Sequence, residues 1–458
     1  MYSSVYSCAA PRNARLKNRS CIFLDQKYNG WTIVKEYTVF DQNRINALPI
    51  HIPDRNGAEP VLQGMRVVDF THFVAGPMAT MTLADFGADV IKIESPKKGD
   101  DFRHYPPVDP ELEAQGAPYL WTNRNKKSLA LDMKSQAGLE VAKALIAEAD
   151  VLVENFSTGV MERFGLDYET CSKLNPKLIY CSVSAYGRAG PYADRLGFDP
   201  IAQAESGFIS MNGYADRQGV RTGSAIMDIA TAMSATNAIL LALLARAKDG
   251  KGQFVEVALF DTAILMTGFA AMQHLTIGYE PKRNGNTSPD TCPSGVFMAA
   301  DKPFYINCGN DKIYQRLFEL VLDRPDLAND PELSKRDNRL KRRDEIFKIM
   351  EEALAKHPWS HWAPKLRAAA VPHGQVKTLG EALASDEARS RKLVSRIPHP
   401  VKGWIPNIAT PLRLARTPAV EPVAAPAVGQ DGDKVLREVL HFDETRIQTL
   451  RRNGAFGD

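Results

Sequence analysis

The stretch 221–261, RTGSAIMDIATAMSATNAILLALLARAKDGKGQFVEVALFD, restricts the fold more than any other part of the chain. Positions 224–246 read as one long apolar helix. Ile226, Ile229, Met233, Leu240, Ala242, Leu243 and Leu244 leave little polar surface, which predicts a helix buried on most sides. Asp249-Gly250 and Gly252 stop it. Positions 254–260 then read as a strand that is apolar except at Glu256, the pattern of a covered parallel sheet. Asp228 does not fit this apolar setting. It is either an N-cap or first-turn acid facing the helix dipole, or a nucleophilic carboxylate placed to attack an activated acyl carbon.

A chain of 458 residues can bury a large core and predicts two or three domains. Its net charge of +3 makes no case for nucleic acid. The six cysteines are scattered with no CxxC pair, and the histidines form no HExxH, so neither points to a metal. No uninterrupted apolar run reaches transmembrane length. The first sixty residues carry Arg12, Arg15, Lys17 and Arg19 before the first acid, Asp25, and lack a long apolar core. They read as a surface-wrapping or disordered extension, with a mitochondrial presequence as the alternative. Trp31, Ile33, Tyr37 and Val39 suggest a short strand there.

From Leu62 the pattern becomes regular. Strand candidates fall at 66–70, 90–94, 128–132, 150–154 and 178–183, alternating with helical segments at 77–86 and 136–147, the order of a doubly wound α/β domain. The first loop is THFVAGP rather than GxGxxG, which argues against a dinucleotide enzyme. Ligands of such sheets sit beyond the carboxyl ends of the strands. This gathers the loops 71–77, 155–159 and 184–199 at one rim, with Asp228 as a neighbour. Arg188 and Arg195 in the last loop are either readers of a distal substrate carboxylate or solvent-facing charges. The polar stretch 281–293 reads as a linker to a smaller α/β unit that opens with a hairpin at 296–306. Trp359 and Trp362 read as packing residues there. The chain then returns through a Pro/Ala-rich segment, 416–428, to terminal helices. Four parts result: an extension over 1–60, a large domain over 61–280, a linker and small domain over 281–376, and a return segment over 377–458.

Several segments together resemble the class III CoA-transferase family, also called CaiB/BaiF: RVVDFTHFVAGP (66–77), GADVIKIESPKKGD (87–100), NRNKKSLALDMK (123–134), DVLVENFSTGVMERFGLDY (150–168), LIYCSVSAYGRAGPY (178–192), GFDPIAQAESG (197–207), TGSAIMDIATAMSA (222–235), GKGQFVEVALFD (250–261) and VPHGQV (371–376). The resemblance implies a large Rossmann-like domain that binds no dinucleotide, a small α/β domain, and an interlocked homodimer. It puts the catalytic aspartate on Asp228. There it would form a mixed anhydride with the donor acyl group and then an aspartyl-CoA thioester, moving CoA without ATP.

The same resemblance places the CoA path at His72, Val74, Ala75, Met133, Lys134, Asn155, Phe156 and Arg163. Valine stands at position 74, where relatives are often polar. Lys97, Lys98, Lys126 and Lys127 are candidate phosphate contacts or plain surface charges. Asp199 is a supporting acid near the site or a helix cap. Where the racemase branch has a GHD segment this chain has Gly197-Phe198-Asp199, and phenylalanine cannot shuttle a proton, which favours transfer over racemisation. A noncatalytic CoA-binding scaffold would not need the acid at 228. The glycine-rich lid of the formyl-CoA branch is absent between Arg283 and Gly295. The resemblance implies an acyl-CoA donor such as succinyl-CoA, a small or dicarboxylic acceptor and no permanently bound cofactor, and no nucleic-acid or membrane partner is expected. The expected location is the cytoplasm, or the mitochondrial matrix if the extension is a presequence.

Overall fold

The computed structural model describes residues 20–23, 35–38, 40–112 and 115–457. Trp31, Ile33 and Val39 lie outside the described residues, as does most of the extension. Lys35–Thr38, which includes Tyr37, is a strand that pairs antiparallel with Ser20–Phe23.

Two compact units make up the chain. The first comprises Met1–Asp194, Thr231–Val257 and Lys392–Asp458; the second comprises Arg195–Ala230 and Ala258–Arg391.

A six-stranded sheet organises the first unit. In chain order its strands are Arg66–Phe70, Asp89–Glu94, Lys126–Ala130, Val151–Glu154, Ile179–Ser184 and Gln253–Ala258. Across the sheet they run third, second, first, fourth, fifth, sixth, the doubly wound order, and the pairings among the first five are parallel. The strand order reverses between Arg66–Phe70 and Val151–Glu154, so the loops after these two strands leave the sheet side by side.

Val68, Ile91 and Leu152 from the sheet pack with Val141, Leu145 and Ile146 of the helix Gln136–Ala147. Ser135 caps that helix by accepting the Gly138 N–H at 2.9 Å. Any side chain at Gly138 would meet the Asp132 carbonyl oxygen at 2.2 Å, so the capped turn requires glycine. Leu436, Ile447 and Leu450 of the C-terminal segments complete this core. The Pro/Ala-rich segment packs on its own unit: Val423 exchanges hydrogen bonds with Asn125, and the Pro426 carbonyl accepts from Arg103 at 3.1 Å.

In the second unit, Ser294–Met298 and Pro303–Asn307 form the expected antiparallel hairpin, and His373–Gln375 adds a third strand. Phe297, Phe304, Tyr314, Phe318, Met350 and Trp362 build its core. The Trp362 indole N–H is satisfied by the Leu354 carbonyl at 2.9 Å.

Two sequence expectations change. The helix Ile226–Asp249 forms, but Met233, Leu241 and Leu244 are 56%, 67% and 63% exposed. By length and composition this helix could cross a membrane. Its apolar positions run all round, while only part of its circumference finds packing partners within the chain. The following strand ends at Ala258, and a helix, Leu259–Met266, takes over. That strand lies at the end of the sheet, so among the described residues its outer edge has no neighbouring strand, and it is far less covered than its composition predicts.

Candidate active site

Within the first unit His72, Asn155 and Phe156 meet at the strand reversal. Asn155, just after the strand Val151–Glu154, bridges to the turn after Arg66–Phe70. Its Oδ1 accepts the His72 N–H at 2.8 Å and its Nδ2 donates to the His72 carbonyl at 2.9 Å. The His72 ring lies 5.1 Å from the Phe156 ring, which in turn packs against Phe70 and Phe164. Burial lowers the His72 pKa below the ordinary histidine value, the nearby Asp100 carboxylate opposing it. Val74 precedes the helix Ala75–Asp85 and provides no side-chain cap; both Val74 and Ala75 are buried. A Cβ at Gly76 would lie 2.4 Å from Thr71, so only glycine lets the turn close so tightly on the helix. Met133 is half-buried against the core, Lys134 is exposed, and Arg163 is exposed on the short helix Val160–Phe164.

Beneath this turn lies a fully buried charge network. Lys126 Nζ donates to Asp69 Oδ2 at 2.9 Å, to the Pro77 carbonyl and to Asn123 Oδ1. Lys92 Nζ donates to the Thr71 carbonyl at 2.6 Å and pairs with Asp100 at 3.0 Å. Burial pushes the Lys126 ammonium down to about 8, against the pull of Asp69. Burial opposes ionisation of Asp69, but Lys126, Lys92 and hydrogen bonds outweigh it and hold Asp69 well below the usual carboxylate range. With its donors committed inside the protein, Lys126 cannot serve as a phosphate contact. Lys127 pairs with Asp89 at 2.5 Å, while Lys97 and Lys98 are exposed. The network was only faintly legible in sequence: Lys92, flanked by Ile91 and Ile93 in the VIKIE strand, is the signal for a buried cation.

Arg188 is not a solvent-facing charge. Its guanidinium bonds Glu154 at 2.9 and 3.1 Å, Ser182 Oγ at 2.6 Å, and the carbonyls of Phe156 and Val183 at 2.8 and 3.2 Å. Burial raises the Glu154 pKa, and Arg188 counters it. Arg195 forms an ion pair with Glu205. The side chains that sequence alone offered as readers of a substrate carboxylate are therefore both engaged within the protein.

In the second unit, Asp199 is buried and stands beside Asp228. Asp199 Oδ1 accepts the Met227 N–H at 2.7 Å and the Asp228 N–H at 3.4 Å. Its Oδ2 accepts from Gln203 Nε2 at 2.6 Å, and Gln203 Oε1 accepts the Thr222 N–H at 2.9 Å. The residue before the helix is Ala225, which has no side-chain acceptor, so the cap comes from Asp199. Asp228 lies in the first helical turn, half-buried, and among the described residues its carboxylate takes no hydrogen bond or ion pair. Burial, reinforced by the Asp199 charge, pushes its pKa from 3.8 up to about 7. A carboxylate of that basicity is a better nucleophile than an ordinary aspartate and is still substantially ionised at neutral pH. Among the described residues no cluster of three or more histidine, cysteine or acidic side chains could hold a metal ion.

The first unit thus carries a doubly wound sheet whose first loop lacks the dinucleotide glycines, and the second unit a half-buried carboxylate without a hydrogen-bond or ion-pair partner among the described residues. Residues 62–432 match the family described as CoA-transferase family III. The chain belongs to that family and is a CoA-transferase. It is similar to the succinyl-CoA:glutarate CoA-transferase of Mus musculus, with 34% identity over 86% of this chain and 89% of that one. It is 37% identical to the acetyl-CoA:oxalate CoA-transferase of Acetobacter aceti over 72% of this chain and 84% of that one. The crystal structure of a CaiB/BaiF family protein from Brucella suis superposes with a TM-score of 0.75 at 35% identity, covering 83% of this chain and all of that one.

Proposed function

We propose that this enzyme moves CoA from succinyl-CoA to a small dicarboxylic acid, with Asp228 as the covalent relay. The Asp228 oxygen attacks the thioester carbonyl, the C–S bond breaks, and CoA thiolate leaves an aspartyl-acyl anhydride. The thiolate attacks the aspartyl carbonyl, releasing the donor carboxylate and leaving an aspartyl-CoA thioester. The acceptor carboxylate then displaces CoA to form a second anhydride, and the thiolate attacks the acceptor's carbonyl, restoring the Asp228 carboxylate. No proton is consumed and the thioester's activation is conserved throughout.

The observation that carries this reading is the free Asp228 carboxylate, whose capping duty has passed to Asp199. His72, Val74, Ala75, Met133, Lys134, Asn155, Phe156 and Arg163 form the CoA path, and Asp199 supports the nucleophile. The choice of donor and acceptor is supported by the succinyl-CoA:glutarate relative, with oxalate, the acceptor named in the other relative, as the rival acid. The working form is an interlocked homodimer. In the second unit Leu265, Leu275 and Ile277 are 75%, 76% and 77% exposed on helices, an apolar surface suited to a second subunit. The same partner would cover the exposed side of Ile226–Asp249, which makes a membrane unnecessary.

Wild-type enzyme mixed with succinyl-CoA alone and quenched should carry an adduct on the peptide containing Asp228, and hydroxylamine should release it. D228N should remain folded, form no adduct and lose transfer by orders of magnitude. An adduct on another carboxylate, or near-wild-type turnover by D228N, would assign the chemistry elsewhere.

A further inference from the structure

The turn after the first strand is held from several sides. The Thr71 N–H is accepted by Asp69 at 2.9 Å and its carbonyl by Lys92 at 2.6 Å. Both backbone groups of His72 are taken by Asn155. The Phe73 N–H is accepted by Asp100 at 3.2 Å. These anchors come from two strands and from two loops of the same unit, and the residue they enclose is strained. Phe73 has φ +64°, in the left-handed region that a bulky side chain rarely adopts. Left to itself, the turn would relax away from this conformation. Phe73 also packs edge-on against Phe102 and Tyr105, with centroids at 6.0 and 5.9 Å.

The structure assigns Asn155 to a positioning role: its amide holds the 71–74 turn, with Phe73 in the left-handed conformation, in the form that accepts CoA, and it does so through the His72 backbone. The assignment rests on the reading that this turn lies along the CoA path. The geometry favours it because both ends of the Asn155 amide are committed to one residue, at 2.8 and 2.9 Å. Each amide atom keeps one further hydrogen-bonding site, so a direct contact is told apart from the clamp by its independence of the Phe73 conformation. Without the clamp, the fraction of enzyme with a competent turn falls, and apparent affinity falls by the same fraction.

The test compares Asn155→Ala in three backgrounds: wild type, Phe73→Gly and Phe73→Ala. Glycine adopts the left-handed region without penalty, whereas alanine removes the ring but keeps the strain. In wild type and in Phe73→Ala, losing the clamp should raise the Kd for CoA and the KM for succinyl-CoA about tenfold, with kcat nearly unchanged, equivalent to about 1.4 kcal/mol. In Phe73→Gly the same loss should shrink to roughly twofold. If Asn155→Ala does not fold, Asn155→Asp replaces it, since it keeps an acceptor for the His72 N–H but sets a carboxylate oxygen against the His72 carbonyl and so opens the clamp at that end. An equal loss in the glycine and alanine backgrounds would mean that Asn155 contacts CoA directly, overturning the assignment. Unchanged Kd and KM in every background, with lowered thermal stability, would overturn the underlying placement of the turn on the CoA path. Adduct formation on Asp228 reports separately on the chemistry.

Discussion

The Asp199 carboxylate meets the backbone N–H of Met227 at 2.7 Å, and this bond decides what Asp228 is free to do. Either acid could in principle have capped the helix. With Asp199 in that role, a like charge stands beside Asp228, and among the described residues the Asp228 carboxylate is left without a structural partner.

The first consequence is a pH profile. The dependence of kcat/KM on pH reports groups of the free enzyme, and Asp228 must be ionised to attack. kcat/KM for succinyl-CoA should therefore rise with pH through an inflection near 7. Asp199→Asn removes the neighbouring charge and should move the inflection to lower pH, even where the altered cap reduces the overall rate. A profile flat across pH 5–8 would contradict the assignment.

Stability should carry the same signature with a defined sign. Asp228 has a folded pKa of about 7 against an ordinary 3.8, so between those values the folded chain holds a proton that the unfolded chain has released. Its contribution is therefore fully present below the lower value and lost as pH rises through the upper one. D228N lacks this titration. In parallel urea titrations, D228N should gain stability relative to wild type as pH rises across that window. The depressed carboxylates Asp69, Glu94 and Asp100 have the opposite sign, but they are common to both proteins and cancel in the comparison. A constant difference between the two proteins would refute the raised pKa.

Arg188 should behave as a structural clamp. Arg188→Ala strands the buried Glu154 and should destabilise the protein by about 3 kcal/mol in denaturant titrations. Arg188→Lys keeps the charge but loses the fork that spans Glu154, Ser182 and the two carbonyls, so it should recover only part of the loss. Neither change should alter the relative use of a dicarboxylate and a monocarboxylate of the same length. A selective loss of dicarboxylate use would restore the substrate-reading role.

Interlocked chains cannot separate without partial unfolding. Light scattering should therefore report a dimer down to the lowest workable concentration, with activity per subunit independent of dilution. A folded, active monomer would sink the interlocked assembly.

The alternation of short apolar strands with amphipathic helices was readable from sequence, because buried parallel strands demand apolar runs and their crossovers demand helices. The strands at 66–70 and 151–154 and the helix 136–147 were legible for that reason, as was the anomaly of an acid at 228 in an apolar stretch. Other features were not legible, because they depend on distant parts of the chain meeting. Asp199 and Asp228 are far apart in sequence, and local pattern cannot say which of them satisfies the helix N–H groups. Arg188 looked like one more loop cation until Glu154 and Ser182 closed around it. Lys126 looked like a surface charge or a phosphate contact until Asp69 claimed it inside the fold. Composition sets how much of a chain must be buried. Which polar groups are buried together, and so which one is left free to react, is fixed only when the strands assemble and each hydrogen-bonding group takes a partner.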